Sequence, residues 1–265
     1  MTGIHRLLEH LWEDYAALNP RARAIHDLLS QRGKTVINDH IALRTFGDPR
    51  VGIDVLAYPF VSGGYRVGGA YDFPAKKLTA RHYEHDDVRL PRVFISDLRL
   101  EAFSDELRGM VGQLLDQVPP ELPTRTDFPV CGRPWAIDYG TYEALGAESE
   151  YAAWVAAFGF RANHFTVLVN ALEGFAGLGE LNAFIKDAGY ELNTSDGEIK
   201  GSPADLLEQS ATLAEHATVD FADGKHDVPA CYYEFARRYP RPDGTLFGGF
   251  VARSADKIFE STDRR

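Results

Sequence analysis

Thiols are scarce in this sequence. Its two cysteines, Cys131 and Cys231, are too few for a disulfide framework and far from any Cys-x-x-Cys spacing, which suits a reducing compartment; a cytoplasmic location is expected. Positive charge is short as well. Lys and Arg number 28 against 39 Asp and Glu, a formal net charge of −11, and no basic block stands out, so a nucleic-acid partner is disfavoured. No run approaches the ~20 apolar residues of a membrane span. The opening Met1-Thr2-Gly3-Ile4-His5-Arg6 meets charge before any apolar stretch, so neither an export signal nor a membrane anchor is expected. A phosphate-cradling glycine loop between strand and helix is missing; Gly63-Gly64 and Gly68-Gly69 read as turn or bulge glycines. There is no Gly-x-Ser-x-Gly elbow, and neither cysteine has a histidine partner at a recognisable spacing.

What is present is apolar and aromatic. The chain is 45% hydrophobic, with 12 tyrosines and 16 phenylalanines, enough for a core and an aromatic pocket. Ile4, Leu7, Leu8, Leu11, Trp12 and Tyr15 recur at helical spacing over 4–18, closed by Asn19-Pro20. A second helix is predicted over 21–32 with Gly33 as its stop, and the pair reads as a lid or buttress. From Thr35 the pattern turns to a strand through Phe46, then a short helix at 51–58 and strands at 65–73, 78–85 and 91–97. Helical stretches at 100–118 and 146–158 follow, separated by a Pro-rich connection. At Phe160 the first pattern restarts: a strand over 160–169, a helix over 174–188 capped by Gly189, and strands at 190–194, 211–222 and 229–239. A helix start is also predicted at Ser202-Pro203-Ala204-Asp205.

The duplication predicts an α+β fold of two βαβββ modules, paired as half-sheets around a shared cleft. A single domain is expected, divided into a helical lead-in (1–34), first module (35–97), helical insertion (98–159), second module (160–240) and closing segment (241–265).

His40 and His164 stand near the start of the first strand of each module, where related strands can converge on one point. Either alone reads as an ordinary core or surface histidine; their repetition is the sharper signal. Glu234, within Cys231-Tyr232-Tyr233-Glu234-Phe235-Ala236, is an acid on an apolar strand, costly to bury unless paired or metal-bound. An ion pair with Arg237 or Arg238 is its plainer reading. Two histidines and one carboxylate on three strands form a facial triad with open positions, which suits iron(II). Zinc or another divalent ion also accepts these residue types, so the metal stays open at this point. Arg44 follows His40 by four residues, on the same strand face and ~13 Å further along. There it suits a substrate carboxylate, or a structural salt bridge. Lys76, Lys77, His82 and His85 read as a charged hairpin face, and His216 as an exposed residue.

The string Asn38-Asp39-His40-Ile41-Ala42-Leu43-Arg44-Thr45-Phe46 resembles the metal-site strand of the 2-oxoadipate dioxygenase/decarboxylase family, and Asn163-His164-Phe165-Thr166 and Tyr232-Tyr233-Glu234 are similar to its second and third ligand motifs. The resemblance implies a vicinal-oxygen-chelate-like half-barrel, iron(II) at His40, His164 and Glu234, and Arg44 on the substrate's carboxylate. It also implies that the run Phe250–Phe259, with Arg253 and Ser254, closes over the substrate; Arg253 departs from the small apolar residue expected there. The implied reaction decarboxylates and hydroxylates a small 2-oxo dicarboxylic acid with dioxygen, as in 2-oxoadipate to 2-hydroxyglutarate. The same scaffold also serves metal-dependent isomerases, lyases and ring-cleaving dioxygenases, and a small-dicarboxylate binding protein is a further reading.

Overall fold

The computed structural model describes residues 3–32 and 35–251. Helical periodicity gives α1 (Gly3–Leu18) and α2 (Pro20–Ser30). α1 buries Ile4, Leu7, Leu11 and Tyr15 along one stripe, and each such side chain contributes about 1.5–3 kcal/mol when fully buried. Asn19 separates the two helices: its side chain accepts from the amide of Ala22, and Pro20 takes the first helical position.

The first module runs β1 (Asn38–Phe46), α3 (Ile53–Ser62), β2 (Arg66–Phe73), β3 (Leu78–Glu84) and β4 (Arg92–Leu98). Helices α4 (Asp105–Leu115), α5 (Tyr139–Glu148) and α6 (Glu150–Phe158) lead to the second module. That module holds β5 (Ala162–Leu168), α7 (Leu178–Asp187), β6 (Lys200–Ser202), β7 (Leu207–Ala211), β8 (His216–Phe221), β9 (Gly224–Pro229) and β10 (Tyr232–Arg238). Eight strands form one curled sheet in the order β2-β3-β4-β1-β5-β10-β7-β6, while β8 and β9 make a separate hairpin.

Reading outward from the central β1–β5 pair, β4, β3 and β2 are matched by β10, β7 and β6. β1 and β5 each pair in parallel with the last strand of their own module and antiparallel with each other. The two halves are therefore related by an approximate twofold axis, and the duplicated half-barrel is the architecture expected from the sequence. On its outer face, the rings of Trp12 and Tyr15 lie 5.2 and 5.0 Å from that of Phe165, and the Tyr15 hydroxyl donates to the Tyr232 carbonyl at 2.6 Å. The lead-in helices are a buttress behind the site rather than a lid over it.

Several elements differ from expectation. α5 has no apolar stripe to betray it; it is started by Asp138, whose carboxylate accepts from the amide of Thr141 at 2.8 Å, and it packs against α6. Residues 190–194 make only an isolated bridge, Leu192 to Thr212. The helix expected at Ser202 is a single 3-10 turn, because Leu206 turns into the left-handed region at φ 61°. β7 was hidden by its polar run Glu208-Gln209-Ser210, and the predicted 211–222 strand in fact begins a different sheet at His216. Gly33 lies outside the described residues.

Candidate metal centre

The residue before each histidine is a β-bulge. Pairing between β1 and β5 passes from Asn38↔Val167 to His40↔Thr166, leaving Asp39 extra, and from Ala42↔His164 to Leu43↔Ala162, leaving Asn163 extra. A bulge breaks the alternation of side chains and re-aims its residue. Here it puts an acceptor beside each ring: His40 Nδ1 lies 2.8 Å from Asp39 Oδ1, and His164 Nδ1 lies 3.0 Å from Asn163 Oδ1. With Nδ1–H donated to these oxygens, each imidazole turns the lone pair of Nε2 into the cleft.

Glu234 completes the cluster. It pairs with Thr166 across the parallel β5–β10 ladder and so faces the same side as His164. Its Oε1 is 3.7 Å from His40 Nε2 and its Oε2 is 3.4 Å from His164 Nε2; one ligand atom from each of the three residues lies within 4.8 Å of the others. All three side chains are buried. Gln209 on β7 donates to Glu234 Oε1 at 2.5 Å, whereas Oε2 is buried with no hydrogen-bond partner. Thr166 Oγ1 stands 3.1 Å from His40 Nε2 and can donate to it.

Without a cation this cluster is held uncharged. Burial pushes the Glu234 carboxyl up to about 8, and Gln209 offsets only part of that. Burial also pushes His164 well below its ordinary value, with the charges of His40 and Arg44 adding to the effect. His40 is lowered by burial too, partly opposed by Asp39. A carboxylate with one orphaned oxygen, set beside the Nε2 atoms of two imidazoles, fits a divalent ion, whose charge would favour the ionised carboxylate and the neutral rings together.

The wall around the cluster is uneven. Phe94 occupies on β4 the place that Glu234 occupies on β10, since Phe94 pairs with Ala42 as Glu234 pairs with Thr166. Arg44 is on the same face of β1 as His40, buried, with its guanidinium 5.1 Å from the ring centres of Tyr151 and Trp154. It also lines a cavity of about 230 Å³ together with Lys76, Lys77, Phe103 and Tyr151. The Phe250 ring stands edge-on to His40 at 4.8 Å. His82, expected on a charged hairpin face, is instead buried on β3, within 2.8 Å of the Tyr71 hydroxyl, because alternation turns it inward opposite Phe94. His216 is exposed as expected. Arg253 and Ser254 lie outside the described residues.

Sequence reasoning assigned no role to Asp39, Asn163, Thr166, Gln209 or Phe94, and Arg238, considered there as an ion-pair partner of Glu234, instead pairs with Asp39. One signal was available: a short polar acceptor precedes both histidines, Asp39-His40 and Asn163-His164.

A family model described as 2-oxoadipate dioxygenase/decarboxylase matches residues 4–120 and 133–244. A rice (Oryza sativa subsp. japonica) protein named 2-oxoadipate dioxygenase/decarboxylase, chloroplastic/amyloplastic, is 33% identical over 282 residues, spanning 97% of this chain and 78% of the relative. Among solved structures, rice hydroxyglutarate synthase in complex with 2-oxoadipate superposes with a TM-score of 0.90 at 32% identity, covering 98% of this chain and 92% of that one. A Shewanella frigidimarina protein described provisionally as a hydrolase superposes with a TM-score of 0.91 at 51% identity, covering 94% and 98%. The half-barrel is of the vicinal-oxygen-chelate kind. With matches of this extent, the chain belongs to the 2-oxoadipate dioxygenase/decarboxylase family.

Proposed function

We propose that this chain is a non-haem iron(II) dioxygenase that decarboxylates and hydroxylates a small 2-oxo dicarboxylic acid. His40, His164 and Glu234 hold the metal, and Arg44 holds a substrate carboxylate. The observation that carries this reading is the buried Glu234 Oε2, without a hydrogen-bond partner and facing His164 Nε2 at 3.4 Å, in a cluster whose fourth quadrant is the apolar Phe94. Iron(II) at these residues supplies a template for the 2-oxo acid and the electrons that activate dioxygen.

The remaining work belongs to the chain. Asp39 and Asn163 fix the imidazole tautomers, and Gln209 fixes the carboxylate. Phe94 and Phe250 keep water from the open face. The planar fork of Arg44 binds and orients a carboxylate. We take residues 1–265 as one functional domain because ligands come from both modules. The two free cysteines support a reducing compartment such as the cytoplasm.

2-Oxoadipate, named for both rice relatives, fits this chemistry. With dioxygen it gives 2-hydroxyglutarate and carbon dioxide: the C1–C2 bond breaks, C2 becomes the new carboxyl, and C3 gains the hydroxyl. The test is anaerobic iron loading followed by 2-oxoadipate and ¹⁸O₂. Equal consumption of dioxygen and release of carbon dioxide are expected, with both labelled atoms in the product. No dioxygen uptake with 2-oxoadipate, but uptake when a catechol is supplied instead, would point to a ring-cleaving enzyme. Turnover without dioxygen would point to a hydrolase, isomerase or lyase, and binding without turnover to a carrier.

A further inference from the structure

Beyond β10 the chain returns across the open face of the half-barrel as a strap, residues 247–250. Both modules hold it. Arg238 Nη1 donates to the carbonyls of Phe247 at 2.9 Å and Gly249 at 2.8 Å, and the Phe250 amide donates to the Tyr71 hydroxyl on β2 at 3.1 Å. The Phe247 amide donates back to the Tyr239 carbonyl at 3.0 Å. The Phe250 ring then packs between His40, Phe94 and His82, at 4.8, 5.0 and 5.3 Å.

The same guanidinium reaches the candidate metal ligand from its other edge. Arg238 Nε and Nη2 donate to Asp39 Oδ2 and Oδ1 at 2.6 and 2.7 Å, and Asp39 Oδ1 is the acceptor for His40 Nδ1. Arg238 is 1% exposed, so it has no room to serve one edge while releasing the other. A planar fork that is bidentate on a carboxylate and bonded to two carbonyls fixes the angle between the two sets of partners. If the strap lifts, the fork tilts, and the carboxylate that aims His40 loses its seat.

We propose that Arg238 is a positioning residue that couples the 247–250 strap to His40 through Asp39, so that metal occupancy and strap seating stabilise each other. The proposal rests on the metal-site reading above. Coupling between two sites is reciprocal, so it can be read from either end.

The experiment measures hydrogen exchange at the Phe247 and Phe250 amides of the full chain, metal-free and zinc-loaded, together with zinc and anaerobic iron(II) affinity. In the wild type, metal loading is expected to slow exchange at both amides. Arg238→Lys keeps a charge for Asp39 but loses the fork; it should abolish the metal-dependent slowing and weaken metal binding ~10–100-fold, the range seen when the hydrogen-bond partners of metal ligands are altered. Tyr71→Phe frees the strap from its other side and should weaken the metal by less. Stoichiometric metal in the wild type with unchanged strap exchange would overturn the coupling, a result that needs no variant to fold. Wild-type affinity and wild-type slowing in Arg238→Lys would overturn it too. A wild-type chain that binds no metal would instead sink the site reading, and the proposal with it.

Discussion

The two halves of the sheet share a backbone plan and differ in what they present to the cleft. Each gives a histidine after a bulged acceptor, His40 after Asp39 and His164 after Asn163. Beyond that the equivalence stops. Where the second module has Thr166 and Glu234, the first has Ala42 and Phe94. Four residues after His40 stands Arg44; four residues after His164 stands Leu168. One half thus completes a set of ligands, and the other supplies an apolar face and a fixed cation. The cradle is symmetric in its backbone and unsymmetric in a few inward side chains, and the proposed substrate side is the one that carries Phe94 and Arg44.

Removing the carboxylate should have the largest effect. Glu234→Ala is expected to weaken divalent metal binding by more than ~100-fold, since altering the partners of ligands alone costs ~10–100-fold. Equilibrium dialysis against zinc, with circular dichroism to show the fold intact, checks it; stoichiometric metal in the variant would remove Glu234 from the site. Restoring symmetry should spare the metal and close the substrate side. Phe94→Glu places a second carboxylate opposite the first, so metal content should hold while kcat/KM for the best 2-oxo acid falls ~100-fold or more, about 2.7 kcal/mol. Wild-type turnover in that variant would show that the Phe94 quadrant is not where the substrate sits.

Next in size is the cation peculiar to the first half. A charge-assisted hydrogen bond contributes about 1.5–3 kcal/mol, so Arg44→Met should lower kcat/KM at least ~10-fold at normal iron content, with Arg44→Lys recovering part of the loss. Steady-state kinetics on dicarboxylic and monocarboxylic 2-oxo acids decide it. Unchanged preference between the two classes would make Arg44 a structural residue.

The last effect, on stability rather than turnover, concerns the metal-free protein. Glu234 stays protonated up to about 8 in the fold but ionises near its ordinary 4.5 when unfolded, so the native state holds the extra proton and stability falls as pH rises between them. The three lowered histidines, His40, His82 and His164, act oppositely: the unfolded chain holds their protons, and their contribution levels off above about 6.5. From pH 6.5 to 8 the Glu234 contribution alone remains, a loss of about 2 kcal/mol. Urea titrations of the metal-free chain should show this slope, and Glu234→Gln should flatten it.

The cleft was legible in sequence where its residues repeat, and illegible where they do not. His40 and His164 could be seen because the strand pattern around them recurs, and Glu234 because an acid among Tyr232, Tyr233 and Phe235 contradicts its surroundings. Gln209 could not, because Glu208-Gln209-Ser210 carries no β-strand preference; those side chains are polar for the sake of partners such as Glu234 and Asn182 that only the fold brings near. Arg238 could be read from sequence only as a possible ion-pair partner of nearby Glu234. Its partner Asp39 is 199 residues away, a distance no local pattern spans. Asp39 and Asn163 were in plain view, but their role depends on a bulge, which is a property of strand register.

The most direct measurement is anomalous diffraction at the iron edge from crystals of the anaerobically loaded chain. The account predicts one peak, about 2.0–2.2 Å from His40 Nε2, His164 Nε2 and a Glu234 carboxylate oxygen, with no fourth protein ligand on the Phe94 side. A peak elsewhere, or a fourth side chain closing that face, would contradict it.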